Sequence, residues 1–245
     1  MTFSTPFHDS IIQSRFCVRQ TWYEAQTKKT QISALAHDLK TPLTVVRGNA
    51  EMLCDTEQTE EQKEHTCYIL KNADQMEQYV QMLIDISKAE AGYSLQLKDV
   101  NMRTFLNNLY TQINALASVK QLKTEFDEKD LPDIIGIDAS LMQRAIINVV
   151  SNAVDYSKEH GAIWFSVSAE DNKIRFIVTD SGKGFSPKDL KNAINQFYQS
   201  DFSRSSKLHY GMGLFIADSI VKQHGGTLVV ANSPATGGGM VTIEI

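Results

Sequence analysis

Apolar residues recur at Ile32, Ala36, Leu39, Leu43, Val46, Ala50 and Leu53, in alternating steps of four and three. That spacing predicts a helix whose apolar seam packs against other helices. The same steps project backwards through Lys29, Ala25, Trp22 and Val18. Residues 1–30 therefore read either as a signalling helix entering from upstream or as a frayed tail with a buried Trp22. After Leu53 the pattern stops, and the polar run from Asp55 to Glu61 reads as a turn. A second helix follows, with Ile69, Ala73, Met76, Val80, Leu83 and Ser87 on its seam and Gly92 as its C-cap. Two long helices with matching seams and a short connection make an antiparallel hairpin. One hairpin leaves both seams half exposed, so the pattern predicts that two copies pair into a four-helix bundle, a homodimer.

From about residue 95 the periodicity changes. Ser94 to Val100 and Lys123 to Asp127 alternate like strands, and Met102 to Val119 is an amphipathic helix. Leu141 to Tyr156 is a strongly apolar helix beginning after Asp138. Ala162 to Ala169 and Lys173 to Thr179 are two β-rich runs joined by Glu170, Asp171 and Asn172, a hairpin signal. A helix from Gly213 to His224 and strands Thr227 to Ala231 and Met240 to Ile245 close the chain. The fold class is α+β: the helical hairpin, then an α/β sandwich with one mixed sheet covered by helices on one face. The domains expected are an N-terminal segment 1–30, a hairpin domain 31–93 and a sandwich domain 94–245.

Composition narrows the function classes. Apolar content of 42% and charged content of 22% are those of an ordinary globular protein, and 245 residues suffice for two modest cores. A net charge of −5 without a polybasic block argues against nucleic acid as a partner. Cys17, Cys54 and Cys67 have neither C-x-x-C spacing nor an even count, which suits a reducing, cytoplasmic setting. No apolar run approaches the roughly 20 residues of a membrane span. A membrane connection is expected only through a segment absent from this chain, which would then be the cytoplasmic part of an anchored sensor.

Candidate chemistry sits at four places. The first is Ala36-His37-Asp38-Leu39-Lys40-Thr41-Pro42-Leu43. His37 lies one residue past the seam position Ala36, about 100° round the helix, so its imidazole is expected on the bundle surface, with Thr41 one turn on along the same face. Pro42 lacks the N–H that would bond the Asp38 carbonyl, at a cost of about 3 kcal/mol, and the unbroken phase of the seam reads it as an internal bend. The second is Asn148 and Asn152, one turn apart on an apolar helix. Their amides either cap neighbouring backbone or, at Asn152, offer an oxygen to a hard cation such as Mg²⁺. The third is Asp180-Ser181-Gly182-Lys183-Gly184 at a strand end, an acid followed by a turn over which a flat ligand can lie close to backbone. The fourth is Gly211-Met212-Gly213 opening a helix, where N–H groups and the helix dipole suit phosphate.

Taken together, in this order and between these strands, the last three resemble the ATP-binding domain shared by histidine kinases, gyrase, the ninety-kilodalton heat-shock chaperones and the mismatch-repair ATPases. With the His37 segment in front, the chain from about Gln31 to Ile245 resembles the cytoplasmic kinase core of a two-component sensor. The resemblance implies ATP and Mg²⁺ as cofactors and an aspartate on a response-regulator receiver domain as the final acceptor. It makes His37 the phosphoacceptor, Asp38 the neighbouring acid, and Thr41 the residue that helps place a water for dephosphorylation of the partner. It further implies Asn152 at Mg²⁺, Asn148 at the phosphates, Asp180 at the adenine amine with Gly182 and Gly184 beneath it, and Tyr156 lining the pocket. Phe197 and Arg204 would belong to a lid, and Gly211 and Gly213 to its hinge and the phosphate contact.

Two positions depart from that pattern. Asp155 and Gln199 stand where relatives commonly carry basic residues that reach the phosphates. An acid near a polyanion is unfavourable unless screened. Lys158, Arg204 and Lys207 are candidate substitutes, and slow or weak ATP use is expected. Two rival functions are a gyrase-type ATPase, which needs a glutamate base where this chain has Asn148, and a non-catalytic or phosphatase-biased adaptor.

Overall fold

A computed structural model describes residues 35, 36, 38–195, 198 and 211–245. His37, Phe197, Gln199, Arg204, Lys207 and the segment 1–30 lie outside the described residues. The chain divides into two compact units, one ending at Ala91 and one spanning Gly92–Ile245.

The first unit is the helical hairpin. Helix α1 covers 38–54, with Leu35 and Ala36 also helical, and Pro42 stands inside it with helical residues on both sides. Helix α2, Glu60–Ala91, is opened by a reciprocal cap that the sequence reading missed. The Gln62 backbone N–H donates to Thr59 Oγ1 at 3.3 Å, and the Thr59 N–H donates to Gln62 Oε1 at 2.9 Å. Arg47 of α1 reaches Glu77 of α2 at 3.1 Å, tying the two helices side by side. Small seam residues are buried (Ala36, Ala50, Ala73, Val80), whereas Leu39, Val46, Leu53, Ile69, Met76 and Leu83 are exposed.

The second unit begins β1 (Lys98–Asn101), α3 (Met102–Ser118), β2 (Lys123–Lys129), β3 (Ile134–Ile137) and α4 (Ala139–Tyr156). It continues β4 (Ala162–Glu170), β5 (Lys173–Asp180), α5 (Pro187–Asn192), α6 (Gly213–Gln223), β6 (Thr227–Asn232) and β7 (Gly239–Glu244). The main sheet has the order β2-β4-β5-β7-β6, with β2 and β4 parallel and every other pair antiparallel, so it is mixed. Ile163, Phe165 and Val167 of β4, Ile174, Phe176 and Val178 of β5 and Val241 and Ile243 of β7 alternate onto one buried face. Against them lie the apolar stripes of α3 (Phe105, Leu109, Ile113) and α4 (Met142, Ile146, Val149). Each such side chain contributes roughly 1.5–3 kcal/mol by burial.

Besides the unpredicted short helix α5, two features differ from the sequence reading. Ser94–Leu97 form no strand, and β1 pairs antiparallel with β3 in a separate two-stranded sheet. Strand β3 is four residues with Gly136 among its isoleucines, too short to show a period. The β4–β5 turn places Asp171 and Asn172 at φ of 51° and 61°, the left-handed pair a two-residue hairpin loop demands. No described helix is long and apolar enough to cross a membrane.

Candidate functional site

On the hairpin, Asp38 and Thr41 are both exposed on α1. The phosphoacceptor candidate His37 lies outside the described residues. The remaining site residues are organised by α4. Asp138 caps this helix, its Oδ1 accepting the Leu141 N–H at 3.1 Å. Burial raises the Asp138 pKa, but the N–H groups of Gln96 and Leu141 and the nearby His224 outweigh it, so the carboxyl lies below its ordinary value.

Asn148 and Asn152 lie at the half-buried edge of the α4 stripe. The Asn148 Nδ2 is itself buried and has no hydrogen-bond partner. A buried donor in that state costs about 1–3 kcal/mol, a cost that a ligand oxygen would remove. Gly213 stands over it: a Cβ there would lie 3.6 Å from the Asn148 carbonyl oxygen, so the first turn of α6 packs on Asn148. The α6 N-cap residue, Met212, makes no side-chain cap bond, and its neighbour Gly211 has φ 69° with the Tyr198 backbone pressed against it. The first-turn N–H groups of α6 thus begin over an unpaired amide.

At the other end of α4, Lys120 Nζ donates to the carbonyls of Val154, Asp155 and Ser157, at 2.9, 2.6 and 3.2 Å. An ammonium on the terminal carbonyls of a helix matches its dipole. The same end meets the acid-glycine turn. A Cβ at Gly182 would lie 2.5 Å from the Tyr156 carbonyl oxygen, so no side chain fits between them.

Asp180 closes β5 and is 5% exposed. Its Oδ1 accepts the N–H of Gly182 at 2.7 Å and of Gly239 at 3.0 Å. Burial raises its pKa above the ordinary aspartate value, and these two bonds offset it only in part. Thr236 Oγ1 donates to the Asp180 carbonyl at 3.3 Å, and a Cβ at Gly238 or Gly239 would collide with Asp180 itself. Gly184, at φ 72°, is backed by Gly237 and by Asn232, whose side chain brackets Phe185 with bonds of 2.6 and 2.9 Å.

The structure thus brings Asn148 together with Gly213, and Tyr156 together with Gly182 and Asp180. It places Asp155 half-buried and Lys158 exposed near the Lys120 cap. Phe197 and Arg204 lie outside the described residues, although Tyr198 is anchored by its hydroxyl to Asp189 Oδ1 at 2.8 Å. The sequence reading missed Thr236, Gly238, Gly239 and Lys120. The run Gly237-Gly238-Gly239 before the last strand was the available signal for Gly238 and Gly239; a lysine capping a helix from another element leaves none.

Comparison with known proteins adds the following. Residues 137–245 match the family described as histidine kinase-, DNA gyrase B- and HSP90-like ATPase, and residues 27–92 match the His Kinase A (phospho-acceptor) domain. The sensor histidine kinase SpaK of Bacillus subtilis is 39% identical over 241 residues, which is 97% of this chain and 52% of SpaK. The nisin biosynthesis sensor protein NisK of Lactococcus lactis is 31% identical over 232 residues, 94% of this chain and 51% of NisK. The chain therefore spans about half the length of these relatives. Among solved structures, full-length ShkA in complex with AMPPNP superposes with a TM-score of 0.76 at 25% identity, over 88% of this chain and 45% of that one. A mycobacterial sensor histidine kinase, MprB, shares the fold with a TM-score of 0.53 over 61% of this chain.

Proposed function

The chain belongs to the sensor histidine kinases, as their kinase core, and from that premise we propose that it transfers the γ-phosphoryl group of ATP to His37 and then to an aspartate of a response-regulator receiver domain. The observation that carries this reading is α4. One end meets a buried, glycine-ringed acid; eight residues and about 12 Å away lies an unpaired amide under the start of a helix. Those two places suit a flat base and a phosphate chain respectively.

In this reading Asp180 Oδ2 accepts the adenine amine, Gly182 and Gly184 shape the turn beneath the base, and Tyr156 lines the pocket. Asn148 Nδ2 donates to a phosphate oxygen, with Gly211, Gly213 and the α6 N–H groups around it. Phe197 and Arg204 close over the nucleotide. Mg²⁺ would take an oxygen of Asn152 and neutralise charge on the phosphates. A His37 ring nitrogen attacks the γ-phosphorus in line as the bond to the β-γ bridging oxygen breaks; ADP leaves, and Asp38 draws off the imidazole proton. Rate comes mainly from positioning. Thr41 supports the reverse reaction by placing a water against the phosphorylated partner. Exposed apolar seam residues favour a homodimer, and the setting is cytoplasmic, in a longer anchored sensor. Asp155 and Gln199 weaken nucleotide use. A gyrase-type ATPase is disfavoured, because the Asn148 amide takes no proton from water.

The test is incubation with γ-labelled ATP and Mg²⁺. Acid-labile, base-stable label on protein, lost in His37→Gln, supports the kinase. Free phosphate without labelled protein favours the ATPase, and neither product favours an adaptor.

A further inference from the structure

Residues 92–97 join the hairpin to the ATP-binding unit and belong to no helix or strand, yet side chains of α6 and of the α4 cap hold backbone amides of this connection. The Tyr93 N–H donates to Gln223 Oε1 at 2.7 Å, in the last turn of α6. The Gln96 N–H donates to Asp138 Oδ2 at 3.0 Å, the residue that caps α4 with its other oxygen. The two anchors are themselves joined. The Asp138 N–H points to His224 Nε2 at 3.2 Å, and His224 Nδ1 lies 2.8 Å from the Ile220 carbonyl oxygen, so the ring follows α6 with Nδ1 as donor and Nε2 as acceptor. Gly92, at φ 84°, alone separates the end of α2 from the first anchored amide.

We propose that Gln223 and Asp138 form a clasp on this connection, and that the clasp is a positioning device for phosphoryl transfer to His37. The inference rests on the kinase reading above. Closed, the clasp leaves a one-residue joint between α2 and the unit that carries the nucleotide. Open, it frees the Tyr93 and Gln96 amides and lets the six-residue connection flex, towards the root-mean-square reach of roughly 13 Å of a fully flexible chain of that length. Transfer needs the γ-phosphorus and an imidazole nitrogen held in line at contact distance, and spreading the donor over many poses lowers the fraction that react. The clasp touches the last turn of α6 and the N-cap of α4, not their nucleotide-facing positions, so it acts on transfer and not on binding.

The experiment compares the full chain with Gln223→Ala and Gln223→Glu, both checked for an unchanged thermal midpoint. Glutamate keeps the oxygen that accepts from Tyr93; alanine removes it. In Gln223→Ala the Tyr93 amide exchanges with deuterium at least tenfold faster, and labelling of His37 at saturating ATP slows at least fivefold. The ATP dissociation constant stays within twofold, and Gln223→Glu restores both rates. Unchanged exchange at Tyr93 overturns the clasp. Faster exchange with unchanged or faster labelling overturns the positioning role, as does a parallel loss of ATP affinity. If the wild-type chain binds ATP but acquires no label, it is the kinase reading that fails, and the transfer role falls with it.

Discussion

The helical hairpin and the ATP-binding unit use their apolar residues in opposite ways. In the ATP-binding unit, sheet and helices close on each other, and the large side chains of β4, β5, α3 and α4 are buried within one chain. In the hairpin the contact between helices is made by small residues, and Leu39, Val46, Ile69 and Leu83 remain 42%, 46%, 43% and 43% exposed. Two helices have only two faces to offer each other, so a seam wide enough for a four-helix core stays half unsatisfied. One unit closes its own core, and in the proposed reaction it holds only the phosphoryl donor. The other leaves its seam unsatisfied, and in that reaction it supplies the acceptor, His37.

The largest effect that would break this contrast is chemical. His37→Gln is expected to abolish protein labelling while leaving ATP affinity unchanged, as read by isothermal titration; residual stable label would place the acceptor elsewhere. Next is assembly. Leu83→Asp removes apolar burial worth roughly 1.5–3 kcal/mol in each copy. Sedimentation should show a dimer dissociation constant raised at least about a hundredfold, with nucleotide binding by the ATP-binding unit intact.

Asp180→Asn removes a charged acceptor worth about 1.5–3 kcal/mol, or roughly 10–100-fold in ATP affinity. Because burial holds the Asp180 pKa above the unfolded value, protonation favours the folded state. That stabilisation is fully present below the unfolded pKa and is lost as pH rises through the folded one. Binding runs the other way. Acidification through the raised pKa neutralises the acceptor, so wild-type affinity should fall with pH where that of Asp180→Asn stays flat. The smallest effect sharpens the contrast from the hairpin side. Thr59→Ala loses the cap on α2, about 1 kcal/mol, and should lower the hairpin's melting transition without moving that of the ATP-binding unit.

Helix positions were legible because α1, α2, α3, α4 and α6 each carry a period that only burial of one face explains. The β4–β5 hairpin was legible from Asp171 and Asn172. Strand β3 and helix α5 were not, because four and six residues are too few to establish a period. At the candidate site, local motifs pointed to Asp180, Gly182, Gly211 and Gly213. Thr236, Gly238 and Gly239 escaped because their importance comes from lying against Asp180, more than fifty residues earlier in the chain.

The amino-acid sequence by itself determined the two-part architecture, the seams and the residue types that chemistry requires, since these follow from periodicity and side-chain identity within short windows. Only the tertiary structure decided which buried groups lack partners, what wraps the acid and how the connection is held. The Asn148 amide, the glycines around Asp180 and the anchoring of Tyr93 to Gln223 all depend on contacts between elements distant in sequence. Such contacts leave no periodic trace, because each is satisfied by the fold as a whole.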